Sequence, residues 1–194
     1  MDIKEKENHM CEWYQQCMDL YYKYHMTESK LQEAIHNSRL ILRKGAKSFL
    51  KQLHQNHVPV VIFSAGIGNV IENILQQEDC NYDNIKIISN LIKFDENGDM
   101  LTFSGTLIHT LNKNIDKLKN LNEKEQIEAR EYRVAIGDLI EDTYMIGECP
   151  KDKTLKIGLL NKNMQENLEV YKENFDIVLT GESDFCDIEN MIKL

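Results

Sequence analysis

From Val58 to Phe63 the chain is apolar and rich in β-branched residues, then breaks at Ser64-Ala65-Gly66-Ile67-Gly68 before a helical pattern begins near Val70. A buried parallel strand reads as such a run, with small residues at its carboxyl end. The same order recurs at Tyr132–Ile136, where an apolar run meets Gly137-Asp138 and a helix is predicted from about Leu139. Residues 1 to about 38 read as helical, with Trp13, Cys17, Leu20 and Tyr24 on one face, Thr27 as an N-cap, and no strand. From about Arg39 the pattern alternates. Helix 45–56 precedes strand 58–63, helix 69–77 precedes strand 85–89, and residues 92–103 form a hairpin around Asn97-Gly98. A polar helical stretch over about 112–129 leads to strand 132–136. Helix 139–147, strand 155–160, helix 163–173, strand 176–180 and helix 184–193 follow. Alternation of this kind predicts an α/β fold with a mainly parallel sheet covered on both faces.

Composition narrows the class. At 194 residues, one domain with a small appendage is expected, and 42% hydrophobic content supplies a core. No apolar stretch approaches the roughly 20 residues of a membrane helix, so no membrane partner is expected. The start, MDIKEKENHM, is charged rather than signal-like, which points to a cytoplasmic protein, expected to be monomeric. A net charge of −9 argues against a nucleic-acid polymer as partner, since such binding needs clustered Lys and Arg. It leaves room for a small phosphorylated ligand, which responds to local charge. The five cysteines (Cys11, Cys17, Cys80, Cys149, Cys186) show no zinc spacing and read as reduced thiols.

Five residues then carry candidate chemistry. Ser64 and the backbone after it, at a strand end and a helix start, suit a phosphate; alternatively Ser64 caps the helix and the glycines turn the chain. Asp138 sits where open parallel sheets bind ligands, and its carboxylate suits Mg²⁺, with Asp142 one helical turn further on. The competing reading makes Asp138 an N-cap and Asp142 a solvated first-turn acid. Lys113 precedes a predicted helix and is either a cation for the same crevice or a solvent-facing charge. Tyr14, beside Trp13, is either a stacking surface for a base or a packed aromatic. Hydroxyl, ammonium and carboxylate in chain order are what phosphoryl transfer needs.

VPVVIFSAGIGNVIENIL, FDENGDM…GTLIHTLNKN, the Gly-Asp of AIGDLIED and LKIGLLN…YKENFDIVL together resemble the cytosolic 5'-nucleotidase III family. This is the pyrimidine 5'-nucleotidase branch of the haloacid dehalogenase-like phosphatases. The likeness runs from about Glu12, where EWYQQC resembles the family's EWYTKS, to the C-terminus. FSAGIG in context is specific to the family, whereas Gly-Asp-x-x-x-Asp marks only the superfamily. The resemblance implies a Rossmannoid three-layer core with a small helical cap. It also implies Mg²⁺-dependent hydrolysis of a nucleoside 5'-monophosphate, a pyrimidine such as UMP or CMP favoured. By it, Ser64 and Ala65 bind the phosphate, Lys113 neutralises it, Asp138 ligates Mg²⁺ and Asp142 supports, with Cys17 in the place of a cap serine; Cys17 and Tyr14 are the candidate substrate contacts of the cap.

The chain departs from the family at named places. No Asp-x-Asp-x-Thr occurs, so the resemblance leaves no nucleophile or general acid here, and the first core strand is expected to be missing from this chain. In the family that strand lies between the strands ending here at Phe63 and Ile136. The acidic residue of the early cap segment that family members use to read the nucleotide is also absent. The family's Ser in EWYTKS is Cys17, and its Gly-Asp-Ser-x-Gly-Asp reads Gly137-Asp138-Leu139-Ile140-Glu141-Asp142. The expected organisation is a partial helical cap over 1–38 and an incomplete core over 39–194, with a hairpin near 92–103. The first functional reading is an incomplete copy of a working nucleotidase. The alternative is an inactive truncated or degenerate relative that binds phosphate, nucleotide or a protein partner without turnover.

Overall fold

The computed structural model describes residues 2–105, 107–114, 127, 129–181 and 183–192. Most of the polar helix expected over about 112–129 lies outside the described residues. The chain divides into two compact units, Met1–Arg43 with Leu50–Asn112, and Lys44–Phe49 with Lys113–Leu194.

In the first unit, helices α1 (Ile3–Lys23) and α2 (Glu28–Asn37) precede a three-stranded sheet. Thr27 caps α2 as expected, its hydroxyl accepting from Lys30 N at 3.2 Å. Helix α3 (Ala46–Gln55), whose first four residues belong to the second unit, leads to β1 (Val60–Ile67) and α4 (Gly68–Gln77). Strand β2 (Ile85–Phe94) runs parallel to β1 through its first half and antiparallel to β3 (Met100–Ser104) through its second. The hairpin turns where expected: Asp95 Oδ1 accepts from the N–H groups of Asn97 and Asp99, both at 2.9 Å, and Gly98 takes φ +81°. The hairpin is also tied to the helices, since Glu28 N donates to Gly98 O at 2.9 Å and the Tyr22 hydroxyl to Leu101 O at 2.8 Å. Leu31, Ile35 and Ile92 form the core beneath α2.

Strand β1 does not stop at Phe63. Its register passes from Phe63 opposite Ile88 to Ile67 opposite Asn90, so Ser64, Ala65 and Gly66 together oppose the single residue Ser89. The apparent break in the sequence is therefore a bulge inside the strand, which small residues permit and which re-aims the chain at its carboxyl end.

The second unit holds a parallel sheet in the order β4 (Arg133–Gly137), β5 (Thr154–Leu160), β6 (Ile177–Thr180), with α5 (Met164–Asn174) and α6 (Phe185–Met191). Leu160, Tyr171 and Phe175 make its core, and Gly158 leaves the space that the Phe175 ring fills. The α-helix expected over 139–147 is instead a 3₁₀ helix, Ile140–Ile146, closed by Gly147 at φ +67°. The Asp142 side chain folds back onto the N–H groups of Asp138 and Leu139, which tightens this turn.

Strands β1 and β4 are each the edge of their own sheet, and no described strand pairs with either outer edge. Along β4, Val134 remains 45% exposed. Among the described residues no helix is long and apolar enough to cross a membrane.

Candidate functional site

The first unit contains a cavity of about 210 Å³ between α1 and the bulge of β1. Tyr14, Cys17, Met18 and Tyr21 recur at helical spacing and line one side, with Trp13 at its margin. This corrects the expected face. Cys17 is half-buried, but Trp13, Leu20 and Tyr24 are exposed, because the inward stripe of α1 runs through Tyr14, Cys17, Met18 and Tyr21. Trp13 meets Tyr14 edge to face at 4.8 Å, and Tyr21 lies 6.1 Å from Phe103. Burial, then the charge of Cys17 when ionised, raises the Tyr14 and Tyr21 hydroxyls above their ordinary pKa, so both remain neutral donors.

Ala65, Gly66 and Ile67 supply the opposite wall, together with Asn90 and Phe103. Ser64 does not cap α4. Its Oγ accepts from Gly66 N at 3.1 Å, and the N-cap of α4 is Ile67, which offers no side-chain bond. The helix start is fixed by packing instead. A Cβ on Gly68 would collide with Ser89 Oγ and Leu91, and the Asn69 amide exchanges bonds with both backbone groups of Ile92, at 3.1 and 2.8 Å. The buried Asn90 amide binds Ala65 O and both backbone groups of Ile108. Asn112 in turn accepts from His109 N and donates to Leu107 O, both at 2.8 Å.

The second unit assembles the charged residues. Lys113 is buried, and its Nζ pairs with Asp142 Oδ1. Asp142 Oδ2 accepts from Asp138 N and Leu139 N, each at 3.1 Å. Asp142 is 3% exposed, so it is neither a solvated acid nor a weak helix-end charge. It lies against Gly137, where any Cβ would meet its carboxylate. Asp138 follows β4 as expected and is exposed. Its backbone carbonyl accepts from the Tyr171 hydroxyl. Burial raises the Tyr171 pKa first, followed by the carboxylates of Asp138, Asp142 and Glu141.

Asp138 thus offers a carboxylate to a cation while Asp142 is engaged by an ammonium and two N–H groups. No group of three His, Cys, Asp or Glu side chains that would hold a metal occurs among the described residues. Since Mg²⁺ demands near-octahedral oxygen donors, these residues make at most part of such a site. Sequence reasoning missed Asn90, Tyr171 and the Lys113–Asp142 pair. Each acts across 18 to 33 residues of chain, a separation that no local pattern encodes.

Parallel βα units with candidate residues at the strand ends make an open α/β fold, and the solved structures it matches place it among the haloacid dehalogenase-like phosphatases. A crystal structure of cytosolic 5'-nucleotidase IIIB bound to cytidine matches with TM-score 0.84 at 27% identity, covering 98% of this chain and 64% of that one. A probable phosphoserine phosphatase from Vibrio cholerae, at 18% identity and TM-score 0.60, shares the fold over 84% of this chain and 45% of its own. The chain belongs to the pyrimidine 5'-nucleotidase family, whose model matches residues 1–193, and the resemblance read from FSAGIG and AIGDLIED is thereby confirmed. Its relatives include the human 7-methylguanosine phosphate-specific 5'-nucleotidase, 37% identical over 98% of this chain and 64% of that protein. Another is a putative cytosolic 5'-nucleotidase 3 of Caenorhabditis elegans, 34% identical over 92% of this chain and 49% of that protein. The chain spans about two thirds of the length of the first of these and half of the second.

Proposed function

We propose that this chain carries the nucleoside- and phosphate-binding part of a 5'-nucleotidase that hydrolyses a nucleoside 5'-monophosphate to nucleoside and phosphate. The observation that carries it is the cavity of the first unit, aromatic on the α1 side and walled by the backbone bulge at Ala65–Ile67 on the other. Aromatic faces suit a base, and small residues with nearby N–H groups suit a phosphate.

In this reading residues 1–38 act as the cap, with Tyr14 and Cys17 against the nucleoside. Cys17 gives the nucleoside a weaker hydrogen bond than a serine would. Ser64 and Ala65 bind the phosphate, Lys113 neutralises its charge, and Asp142 keeps that ammonium in place. Mg²⁺ would supply charge neutralisation at the phosphate oxygens, with Asp138 as one ligand. We place the protein in the cytoplasm as a monomer that acts on small molecules.

A second reading, binding without turnover, is favoured by one observation: Asp142, whose carboxylate accepts from Asp138 N, is committed to Lys113. Calorimetric titration of the full chain with CMP, UMP and 7-methylguanosine 5'-monophosphate, paired with a phosphate-release assay on the chain as it is and on the chain extended at its amino terminus by a segment carrying Asp-x-Asp-x-Thr, separates the two. Binding with release restored by the extension supports the nucleotidase, binding without release even in the extended chain supports the second reading, and no binding of any of the three overturns both. The order of affinities assigns the base.

A further inference from the structure

We propose that Asn90 is a positioning residue for the phosphate-binding bulge, fixing the Ala65–Gly66 peptide and through it the Ser64 hydroxyl. The inference rests on the reading that this bulge takes the phosphate. Asn90 is 4% exposed and sits opposite Ile67, where β1 regains its register after the bulge. Its carboxamide has two N–H donors and both are used, to Ala65 O at 2.9 Å and to Ile108 O at 2.8 Å. Its oxygen accepts from Ile108 N at 2.9 Å. Asn90 therefore acts as an inserted peptide group, holding the 107–109 segment to the bulge in the way a neighbouring strand would.

The direction of these bonds matters. A trans peptide is planar, so its C=O and N–H point to opposite sides. Asn90 holds the carbonyl of the peptide between Ala65 and Gly66, and the N–H of that same peptide donates to Ser64 Oγ at 3.1 Å. The peptide is pinned at both ends. Ser64 Oγ accepts there with one lone pair, which leaves its own hydrogen for another acceptor, such as a phosphate oxygen. The Ser89 side chain, adjacent on β2, points to the other face of the sheet, toward Gly68. Position 90 is therefore the one on β2 that reaches the bulge carbonyl from the cavity side. An amide among apolar neighbours such as Ile88 and Ile92 is costly unless its bonds are made, so it is held where its three partners lie.

The test compares three probes on the full chain: CMP, inorganic phosphate and cytidine. Asn90→Ala releases the Ala65 carbonyl and should weaken CMP and inorganic phosphate by about tenfold and cytidine, whose cavity Asn90 only borders, by much less. The Gly66 amide resonance should shift as its bond to Ser64 relaxes. Asn69→Ala serves as the structural reference, because it breaks a comparable buried amide bridge, to Ile92, outside the bulge. It should lower the melting temperature without altering the ratio of phosphate to cytidine affinity. Should Asn90→Ala fail to fold, Asn90→Gln keeps the amide but displaces it by a methylene, and the same selective loss is expected. Equal weakening of all three probes, or of none, by the Asn90 variants overturns the positioning role while leaving the functional reading intact. A wild-type chain that binds neither CMP nor phosphate overturns both.

Discussion

The Lys113 ammonium and the Asp142 carboxylate are paired inside the second unit, their side chains 9% and 5% exposed. Neither charge has water to fall back on, and Asp142 is further held by two backbone N–H groups at the end of β4. Removing one member of such a pair leaves an uncompensated buried charge, which costs far more than the pair contributes over an apolar substitute. Lys113→Met should therefore destabilise the chain by about 3–5 kcal/mol in urea unfolding. Asp142→Leu should do at least as much, since it also strands the N–H groups of Asp138 and Leu139. The double variant should lose clearly less than the sum. Additive losses would show that the two groups are not energetically coupled.

Gly137 is the next constraint, for reasons of volume rather than flexibility. A Cβ at this position would overlap the Asp142 carboxylate, so the acid sits flush against the strand end only because the side chain is a hydrogen. Gly137→Ala should cost about 1–3 kcal/mol by overpacking and should push Asp142 away from Lys113. Its effect should largely vanish in an Asp142→Gly background, where the obstructing Cβ and carboxylate are both gone. An undiminished cost there would point to the backbone of β4 instead.

Tyr171 links the core of the second unit to the turn that carries Asp138. Its hydroxyl donates to Asp138 O, and burial, followed by the nearby carboxylates, holds its pKa above the ordinary value of 10.0. A raised folded-state pKa means the folded chain binds the proton more tightly than the unfolded chain does. The associated stability is thus fully present below about pH 10 and is lost as pH rises through the folded value. Tyr171→Phe should cost about 1 kcal/mol at neutral pH and remove part of the alkaline loss, so the two stability curves converge as pH climbs. Parallel curves up to the alkaline limit would rule out Tyr171 as the titrating group.

What was legible in the sequence divides along physical lines. Apolar runs and turn residues are local, so the strands, the Asn97-Gly98 hairpin, the Thr27 cap and the order of helices were readable from periodicity. Asp138 was placed correctly for the same reason, as the residue following a short apolar strand. The bulge at Ser64–Gly66 was read as a strand end, because whether such a break ends pairing depends on β2, some 25 residues away. The inward face of α1 was misassigned because Trp13 and Tyr14 are adjacent and only the packing chose Tyr14. Lys113 and Asp142 each carried a solvated alternative when taken singly. Burial of both, which overturns those alternatives, is a property of the pair and has no signature at either position.

The remaining prediction concerns Asp138, Mg²⁺ and turnover. The Asp138 side chain is exposed at the end of β4, yet the described residues give it no cluster of three ligating groups. Octahedral Mg²⁺ keeps several waters and relies on carboxylates together with substrate phosphate oxygens. The chain should therefore bind Mg²⁺ weakly alone and better with CMP or inorganic phosphate present, and Asp138→Asn should abolish that gain. Phosphoryl transfer to a carboxylate also requires a nucleophile in line with phosphorus, and positioning without it leaves only a residual rate. Asp142 is held by Lys113, and Asp138 serves as a metal ligand in this reading. The chain by itself should accordingly release little phosphate from UMP or CMP, whatever its affinity for them. Phosphate release over a panel of nucleoside monophosphates, with and without Mg²⁺, on the wild type and Asp138→Asn, checks both halves. Submillimolar Mg²⁺ affinity without phosphate would refute the ligand count. Rapid turnover abolished by Asp138→Asn would require Asp138 to act on the phosphorus itself.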